Sequence, residues 1–233
     1  METMMQETFQ LVRPACDFAG VLSADAGVSV KDGRMFAQNT SLLVSIPTPD
    51  LPDFSVPSVD LDFALRKVGE CKVSFGKTFV TLKSQLASTK IALLPEALKA
   101  PERPDIETHE VRDVKDLLGA ISDVFPFTIG DPSKPWSMGA RFDDTLVTAT
   151  NTKMLCRAEL AHGCGLEAVT VSRAALSYIR LRGEALTRMG VGERGLLLEF
   201  DDGSWALAGR LNAEMPYQAV SLIEKAVEPA AWD

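Results

Sequence analysis

Short stretches in which apolar and polar residues alternate, separated by polar turns, make up much of the chain. This spacing is typical of antiparallel β-strands that bury one face. In the segment GVSVKDGRMFAQNTSLLVSI (27–46), Asp32-Gly33 separates two such stretches and supplies the positive φ of a tight hairpin turn. Asn39-Thr40 ends the second stretch, where Asn tolerates left-handed backbone. The pattern predicts strands joined by short turns.

Helical spacing of apolar residues occurs in four places. It is clearest in DVKDLLGAISDVF (113–125), where Asp113 is a suitable N-cap, and in SRAALSYIRLRG (172–183). A less regular helical pattern covers 6–18, and another begins at Ser58. We therefore expect two helices in each half of the chain, among about eight strands in each half.

The chain contains nearly the same word twice, AQNTSLL at 37–43 and ATNTKML at 149–155, which lie 112 residues apart. The flanks match as well, and one further match sets Leu61 on Leu176 and Phe63 on Tyr178. The paired segments, in chain order, are 27–46 with 139–158, 55–68 with 170–183, and 75–84 with 200–209. Several matches in one order predict a tandem duplication.

The duplication predicts an α+β protein with two similar domains, residues 1–95 and 111–233. Between them, the segment 96–110 contains Pro101 and Pro104 among charged residues. Because proline interrupts sheet hydrogen bonding, we expect this segment to be an extended connector that does not continue a sheet.

The composition excludes several classes of protein. The net charge of −8 argues against a protein that binds nucleic acid over its whole surface. No apolar run approaches the roughly 18–20 residues that span a bilayer, so we expect no membrane partner. Glu2 and Glu7 lie where an export signal would be basic, which favours a cytoplasmic protein with reduced cysteines.

An enzyme or metal site would have to use Cys156, His162 and Cys164, which lie close together in CRAELAHGC. Their spacing matches no zinc pattern, and a nucleophilic cysteine would need a base and an orienting group that the sequence does not indicate. A surface turn flanked by buried cysteines is the simpler interpretation. The sequence predicts a protein that is not an enzyme and needs no cofactor.

The repeated strand–turn–strand unit with its A-x-N-T word, followed by a short helix, resembles the DNA sliding clamps. The segment ALAGRLNAEMPYQAVSLI (206–223) is similar to a bacterial clamp motif, although Met215-Pro216-Tyr217 lacks its Asp. The resemblance implies the DNA clamp fold, with antiparallel sheets outside and two helices inside each domain. It also implies a DNA polymerase processivity factor that encircles double-stranded DNA without sequence specificity, with DNA polymerase and a clamp loader as partners.

The resemblance also implies an oligomeric state and a biological source. Bacterial clamps have three such domains and form dimers, so two domains imply a homotrimer if a closed ring needs six. Sequence motifs similar to those of bacterial clamps, in a chain with two domains, favour a phage protein that acts in the host cytoplasm.

In such a ring, basic residues on the helices would face DNA. Arg173 and Arg180 are seven residues apart and share one helix stripe. The further candidates are Arg13, Arg66, Lys67, Lys115 and Arg182. The alternatives are a solvated helix face and, for Arg66 and Lys67, a favourable interaction with the helix dipole.

A second hypothesis keeps the clamp fold and changes the function to an interaction hub, or a decoy, that binds clamp-interacting peptides. The resemblance places a peptide pocket near the connector and the C-terminus. The candidate residues are Leu43, Leu93, Leu94, Pro95, Pro229 and Trp232. A hub needs this pocket and no basic helices, so charge changes on the helices separate the two hypotheses.

Overall fold

The structure is a computed structural model that describes residues 2–18, 27–95, 99–129 and 133–211. One order of elements, helix, four strands, helix, three strands, occurs twice. The first copy comprises α1 (Glu2–Val12), β1 (Gly27–Lys31), β2 (Arg34–Gln38), β3 (Leu42–Pro47), β4 (Phe54–Pro57), α2 (Ser58–Val68), β5 (Lys72–Phe75), β6 (Phe79–Lys83) and β7 (Ser88–Ala92). The strand β8 (His109–Glu110) follows.

The second copy comprises α3 (Val114–Val124), β9 (Gly139–Asp143), β10 (Leu146–Thr150), β11 (Leu155–Glu159), β12 (Val169–Ser172), α4 (Arg173–Arg182), β13 (Leu186–Gly192), β14 (Gly195–Phe200) and β15 (Trp205–Gly209). The predicted α+β class and the predicted duplication of elements are confirmed. Each described copy has seven strands, one fewer than we expected.

The repeated A-x-N-T word forms the same turn in both copies. The side-chain oxygen of Asn39 accepts hydrogen bonds from the backbone N–H groups of Ser41 and Leu42, each at 2.9 Å. The side-chain oxygen of Asn151 accepts from Lys153 and Met154 at 3.1 and 2.9 Å. The word is therefore the sequence of an Asx turn that starts the third strand of each copy.

The strand register repeats with the turn. Ala37 pairs with Val44 between β2 and β3, and Ala149 pairs with Cys156 between β10 and β11. Both residues of the second pair lie 112 positions after those of the first.

The helices α2 and α4 correspond with a register one residue away from the predicted one. Gly69 and Gly183, each with positive φ, end these helices and lie 114 residues apart. Aligning them pairs Leu61 with Ala175 and Phe63 with Ser177, so the predicted matches of Leu61 with Leu176 and of Phe63 with Tyr178 were wrong. Burial explains the shift, because Phe63 is 62% exposed whereas Tyr178 is fully buried. In the corrected register, Arg66 corresponds to Arg180.

Three other sequence predictions need correction. The match of 75–84 with 200–209 was wrong, because β6 occupies the place of β14 in the repeat and β7 occupies that of β15. The first helix begins at Glu2, before the predicted segment 6–18, and ends ahead of Pro14, which lies in a short 3-10 turn. The connector contributes β8, which pairs with β13, although we expected no sheet pairing there. His109 and Glu110 follow the last proline of the connector, Pro104. Because neither is a proline, both keep a backbone N–H group for sheet pairing.

One sheet runs through both copies. Its strand order is β4-β1-β2-β3-β15-β14-β13-β8, and β3 joins β15 in antiparallel register with Leu43 opposite Leu207 and Val44 opposite Ala206. We call this β3–β15 contact the internal joint. The other two sheets, β11-β10-β9-β12 and β5-β6-β7, end in β11 and β7, and each of these strands has one strand partner among the described residues.

The internal joint has an apolar layer on each face. Val44 and Ala206 belong to the main core, against which the helices pack. On the opposite face lie Leu43, Leu197, Trp205 and Leu207, with Ile106 of the connector beside them. We call these five residues the outer cluster. Among the described residues, no helix combines the length and apolar character that a bilayer span requires.

The outer cluster should contribute to the stability of the folded chain. We expect Leu197→Ala to lower the free energy of unfolding by about 2–5 kcal/mol, because Leu197 is completely buried. Thr81→Ala is the matched control, since Thr81 occupies the corresponding place in the first copy and should cost less than about 0.5 kcal/mol. Urea unfolding of both variants tests this, and equal costs would contradict the assigned role of the cluster.

Candidate nucleic-acid interface

Arg173 and Arg180 meet on one aromatic ring, as their spacing on one helix stripe predicts. Their guanidinium carbons lie 3.8 and 4.4 Å from the ring centroid of Phe125, which follows α3. Arg173 Nη1 also donates to the Phe125 carbonyl oxygen at 2.7 Å and to Thr128 Oγ1 at 2.6 Å. Arg173 therefore joins α4 to the end of α3, while Arg180 is exposed.

The two guanidinium groups form a concentration of positive charge. Neither forms an ion pair with a carboxylate of the described residues. Burial lowers the pKa of Arg173, and the neighbouring charge of Arg180 lowers it further. Two like charges held against one ring are favourable toward an incoming anion such as a DNA phosphate.

In the first copy, Asp62 of α2 lies between two arginines. Arg13 Nε donates to Asp62 Oδ1 at 2.7 Å, and Arg66 donates to the other carboxylate oxygen. The hydrogen bond from Arg13 is the largest cause that lowers the pKa of Asp62, burial opposes it, and Arg66 lowers it again. The side chain of Arg66 remains 64% exposed, so it combines an ion pair with access to solvent.

Two further predicted cations are exposed and weakly engaged. The Lys67 ammonium lies 5.8 Å from the ring centroid of Phe63 on the same helix. Lys115 Nζ lies 3.7 Å from a carboxylate oxygen of Glu184, and both side chains are largely exposed. Exposed pairs of this kind contribute little to stability and leave the cations accessible.

Arg182 does not share this surface. Its side chain is 4% exposed, and it donates to Ser204 Oγ and to Asp202 Oδ2, each at 2.9 Å. Its guanidinium also lies against the ring of Phe200. Arg182 thus holds α4 against the turn between β14 and β15, and it lies outside the candidate interface, contrary to the prediction. Its spacing of four residues from buried Tyr178 is the sequence signal for the inner face.

The four helices differ in charge. α4 carries three arginines and no acidic residue, whereas α1 has Glu2 and Glu7 without a cation. In α2 and α3, acidic residues equal or outnumber the basic ones. Positive charge is therefore concentrated on α4 and on the exposed end of α2.

Arg34 links the two copies through a contact that the sequence pattern did not indicate. Its Nε donates to Ser45 Oγ at 2.8 Å, and its Nη2 donates to the carbonyl oxygen of Gly203 at 3.1 Å. Arg34 therefore reaches across β3 from the first copy to the β14–β15 turn of the second. Burial lowers the pKa of Arg34. An isolated arginine in a strand gives no sequence signal of such a long-range contact.

The predicted peptide pocket separates into two places. Leu43 belongs to the outer cluster, whereas Leu94 donates its N–H to the Ser55 carbonyl oxygen beside β4. Leu93 packs at the edge of the main core, and Pro95 is exposed. β1 and β2 separate β4 from β3, so these residues do not line one pocket. Pro229, Trp232 and the segment 215–217 lie outside the described residues.

Cys156 and Cys164 contact different backbone groups. The Cys164 thiol lies 3.1 Å from the Asp144 carbonyl oxygen, and the Cys156 thiol lies 3.7 Å from that of Asp123. Burial raises the pKa of both thiols, so neither is poised as a thiolate. His162 is exposed, and the described ranges contain no group of three side chains suited to a metal ion.

A duplicated unit of two helices and seven strands, with a sheet continuing from one copy to the next, defines the DNA clamp fold. Bacterial sliding clamps are among the solved structures that the chain resembles. The DNA polymerase III beta subunit of Thermotoga maritima has a TM-score of 0.68 at 16% identity, with 91% of this chain and 63% of that chain covered. The Bacillus subtilis sliding clamp has a TM-score of 0.71 at 12% identity, with 94% and 65% covered.

The Helicobacter pylori beta clamp bound to a DNA ligase peptide has a TM-score of 0.69 at 15% identity, with 94% of this chain and 68% of that chain covered. The chain thus spans about two thirds of the length of these clamps. No protein-family profile matches the chain, and no curated protein matches it. The predicted clamp fold is confirmed.

The ion pairs of Asp62 predict a pH-dependent stability. Because the pKa of Asp62 is lowered in the folded state, its contribution is complete above the unfolded pKa of about 4 and is lost as the pH falls through the folded value. We expect Asp62→Asn to lower the free energy of unfolding by about 1 kcal/mol at pH 7. Below the folded-state pKa of Asp62 the substitution should have no effect. Asp60→Asn on the same helix is the control, and urea unfolding across this pH range checks both. A pH-independent cost of Asp62→Asn would contradict the assignment.

Proposed function

We propose that the protein is a sliding clamp, a non-enzymatic processivity factor that encircles duplex DNA and tethers a DNA polymerase without reading sequence. The observation that carries this proposal is the equivalence of Arg66 and Arg180. Both are exposed, and they occupy corresponding positions on the second helix of each copy. A ring built from such copies repeats one arginine around its bore.

The sheet edges support the ring. By the repeat, β7 corresponds to β15 and β11 corresponds to β3, so β7 of one chain can pair with β11 of the next as β15 pairs with β3. In the register of the internal joint, Thr89 would lie opposite Cys156 and Lys90 opposite Leu155. Head-to-tail contacts of this kind form rings when the rotation closes. We propose closure after three chains, which gives six repeats.

The charge distribution supports encirclement over tight binding. The chain carries a net charge of −8, while α4 is basic. An acidic outer surface repels phosphate, and a weakly basic bore attracts it, so DNA is retained by topology with transient contacts. Arg66, Lys67, Lys115, Arg173 and Arg180 are the proposed bore residues, with Arg13 positioned behind them by Asp62.

The proposed partners are double-stranded DNA, a DNA polymerase and a clamp loader, in the cytoplasm of the cell or of a phage-infected host. The Helicobacter pylori clamp was solved with a DNA ligase peptide, which supports short peptides as the means of contact. For this chain we propose the surface near Leu43 and the outer cluster, beside the connector, as the place where such a peptide binds.

Neutralising the equivalent arginines should weaken DNA binding. We expect the double variant Arg66→Gln, Arg180→Gln to bind duplex DNA more weakly at low salt. The slope of log affinity against log salt should become less negative by about 0.9 for each phosphate that the variant no longer neutralises. Arg173 is unsuitable for this test because its guanidinium also holds Phe125 and Thr128. Fluorescence anisotropy with labelled duplexes of two unrelated sequences measures both quantities.

Lys77→Gln, on the exposed β5–β6 turn, is the control with the same type of charge change and should leave the slope unchanged. Unchanged DNA binding in the arginine variant would remove the basis of the proposal. If the variant then still captured polymerase-derived peptides, the chain would act as a hub and not as a clamp.

A further inference from the structure

Leu86 is the most exposed large apolar side chain of the described residues, with 99% of its surface accessible. It lies in the turn between β6 and β7, two residues before β7. The corresponding residue of the second copy, two residues before β15, is Gly203. A fully exposed leucine at one copy and a glycine at the other indicates that the two turns meet different neighbours.

The neighbours of Gly203 are known from the internal joint. A Cβ atom at Gly203 would lie 3.7 Å from Pro47 Cγ, and the Gly203 carbonyl oxygen accepts from Arg34. If β7 pairs with β11 of the next chain, the counterparts of Pro47 and Arg34 are Glu159 and Leu146, 112 positions later. Leu146 and Glu159 are paired on adjacent strands, as Arg34 and Pro47 are.

We propose that Leu86 docks across the stem of Glu159 onto Leu146 of a second copy of this chain. This contact replaces the Arg34–Gly203 hydrogen bond of the internal joint by an apolar one, and it rests on the proposed ring. It makes the joint between chains chemically different from the joint within a chain.

Another exposed apolar residue supports the same surface. Met154 is 57% exposed, whereas its counterpart Leu42 is buried in the internal joint. In the register of that joint, Met154 would lie opposite Ile91 of the neighbouring chain. Among the described residues, this edge therefore leaves apolar area uncovered where the repeat predicts a partner strand.

Of the four strand residues of the outer cluster, only Leu43 has an apolar counterpart at the joint between chains, which is Leu155. The counterparts of Leu197, Trp205 and Leu207 are Thr81, Ser88 and Lys90, which are polar. Leu86 on Leu146 thus adds apolar contact to a face on which Leu155 is the one apolar counterpart of these strand residues. Because this joint buries less apolar area than the internal one, chains should separate on dilution while each chain stays folded.

A pair of charge substitutions tests the contact. We expect Leu86→Asp to raise the concentration at which the trimer half-dissociates by on the order of tenfold or more, because it removes a buried leucine and places a carboxylate beside Glu159. Leu146→Lys alone should also weaken assembly. The double variant, which offers an ion pair across the joint, should recover most of the affinity.

Sedimentation velocity over a dilution series measures the dissociation, and Leu181→Asp, at another exposed leucine, should leave it unchanged. Circular dichroism confirms that each variant is folded. A trimer that tolerates Leu86→Asp, or a double variant no better than Leu86→Asp alone, would overturn the contact while leaving the ring intact. A parent chain that never forms a trimer would overturn the ring itself, and the contact with it.

Discussion

The antiparallel pairing of β3 with β15 is the contact on which the rest of the structure depends. It joins two copies of one unit into a single sheet, and it buries an apolar layer on each face. Because the two copies are alike, the same pairing leaves β7 and β11, within the described part of the chain, as open edges with corresponding places in the repeat. An open strand edge is a site of association, and here its complement is present at the other end of the same chain.

Placement of charge follows from this arrangement. The helices pack against the main core, which lies on the face of the internal joint opposite the outer cluster. In the proposed ring their exposed sides face the bore. On those sides Arg66 and Arg180 occupy equivalent positions, and Phe125 holds Arg180 beside Arg173. An acidic protein with one locally basic helix face can retain a polyanion without gripping it.

Local chemistry made much of the fold predictable from the sequence. The Asn side chains of the A-x-N-T words form Asx turns. The side chains of Asp113 and Ser172 cap α3 and α4, because each accepts a hydrogen bond from the backbone N–H group three residues later. Such contacts span few residues, so their sequence signal is strong. The duplication then extended this local information to the whole chain.

Long-range contacts were the part that the sequence left hidden. Arg182 was predicted to face DNA, but it is buried against Asp202 and Ser204. The prediction was wrong because the packing of Tyr178 decides which face of α4 points inward. Arg34 reaches Gly203, 169 residues away, without any sequence pattern to mark it. Leu43 and Leu94 of the predicted peptide pocket lie apart for the same reason, since sheet order and not chain order decides which residues meet.

The most direct measurement of the central claim, that the joint between chains repeats the internal joint, is disulfide cross-linking of Thr89→Cys to the native Cys156. The repeated register places these two residues opposite each other on the helix-facing side of the sheet, within the span of a disulfide. The account predicts that mild oxidation yields a covalently closed trimer, whereas Lys90→Cys, on the other face, yields none. A Thr89→Cys chain that stays monomeric under oxidation, or cross-links no better than Lys90→Cys, would contradict it.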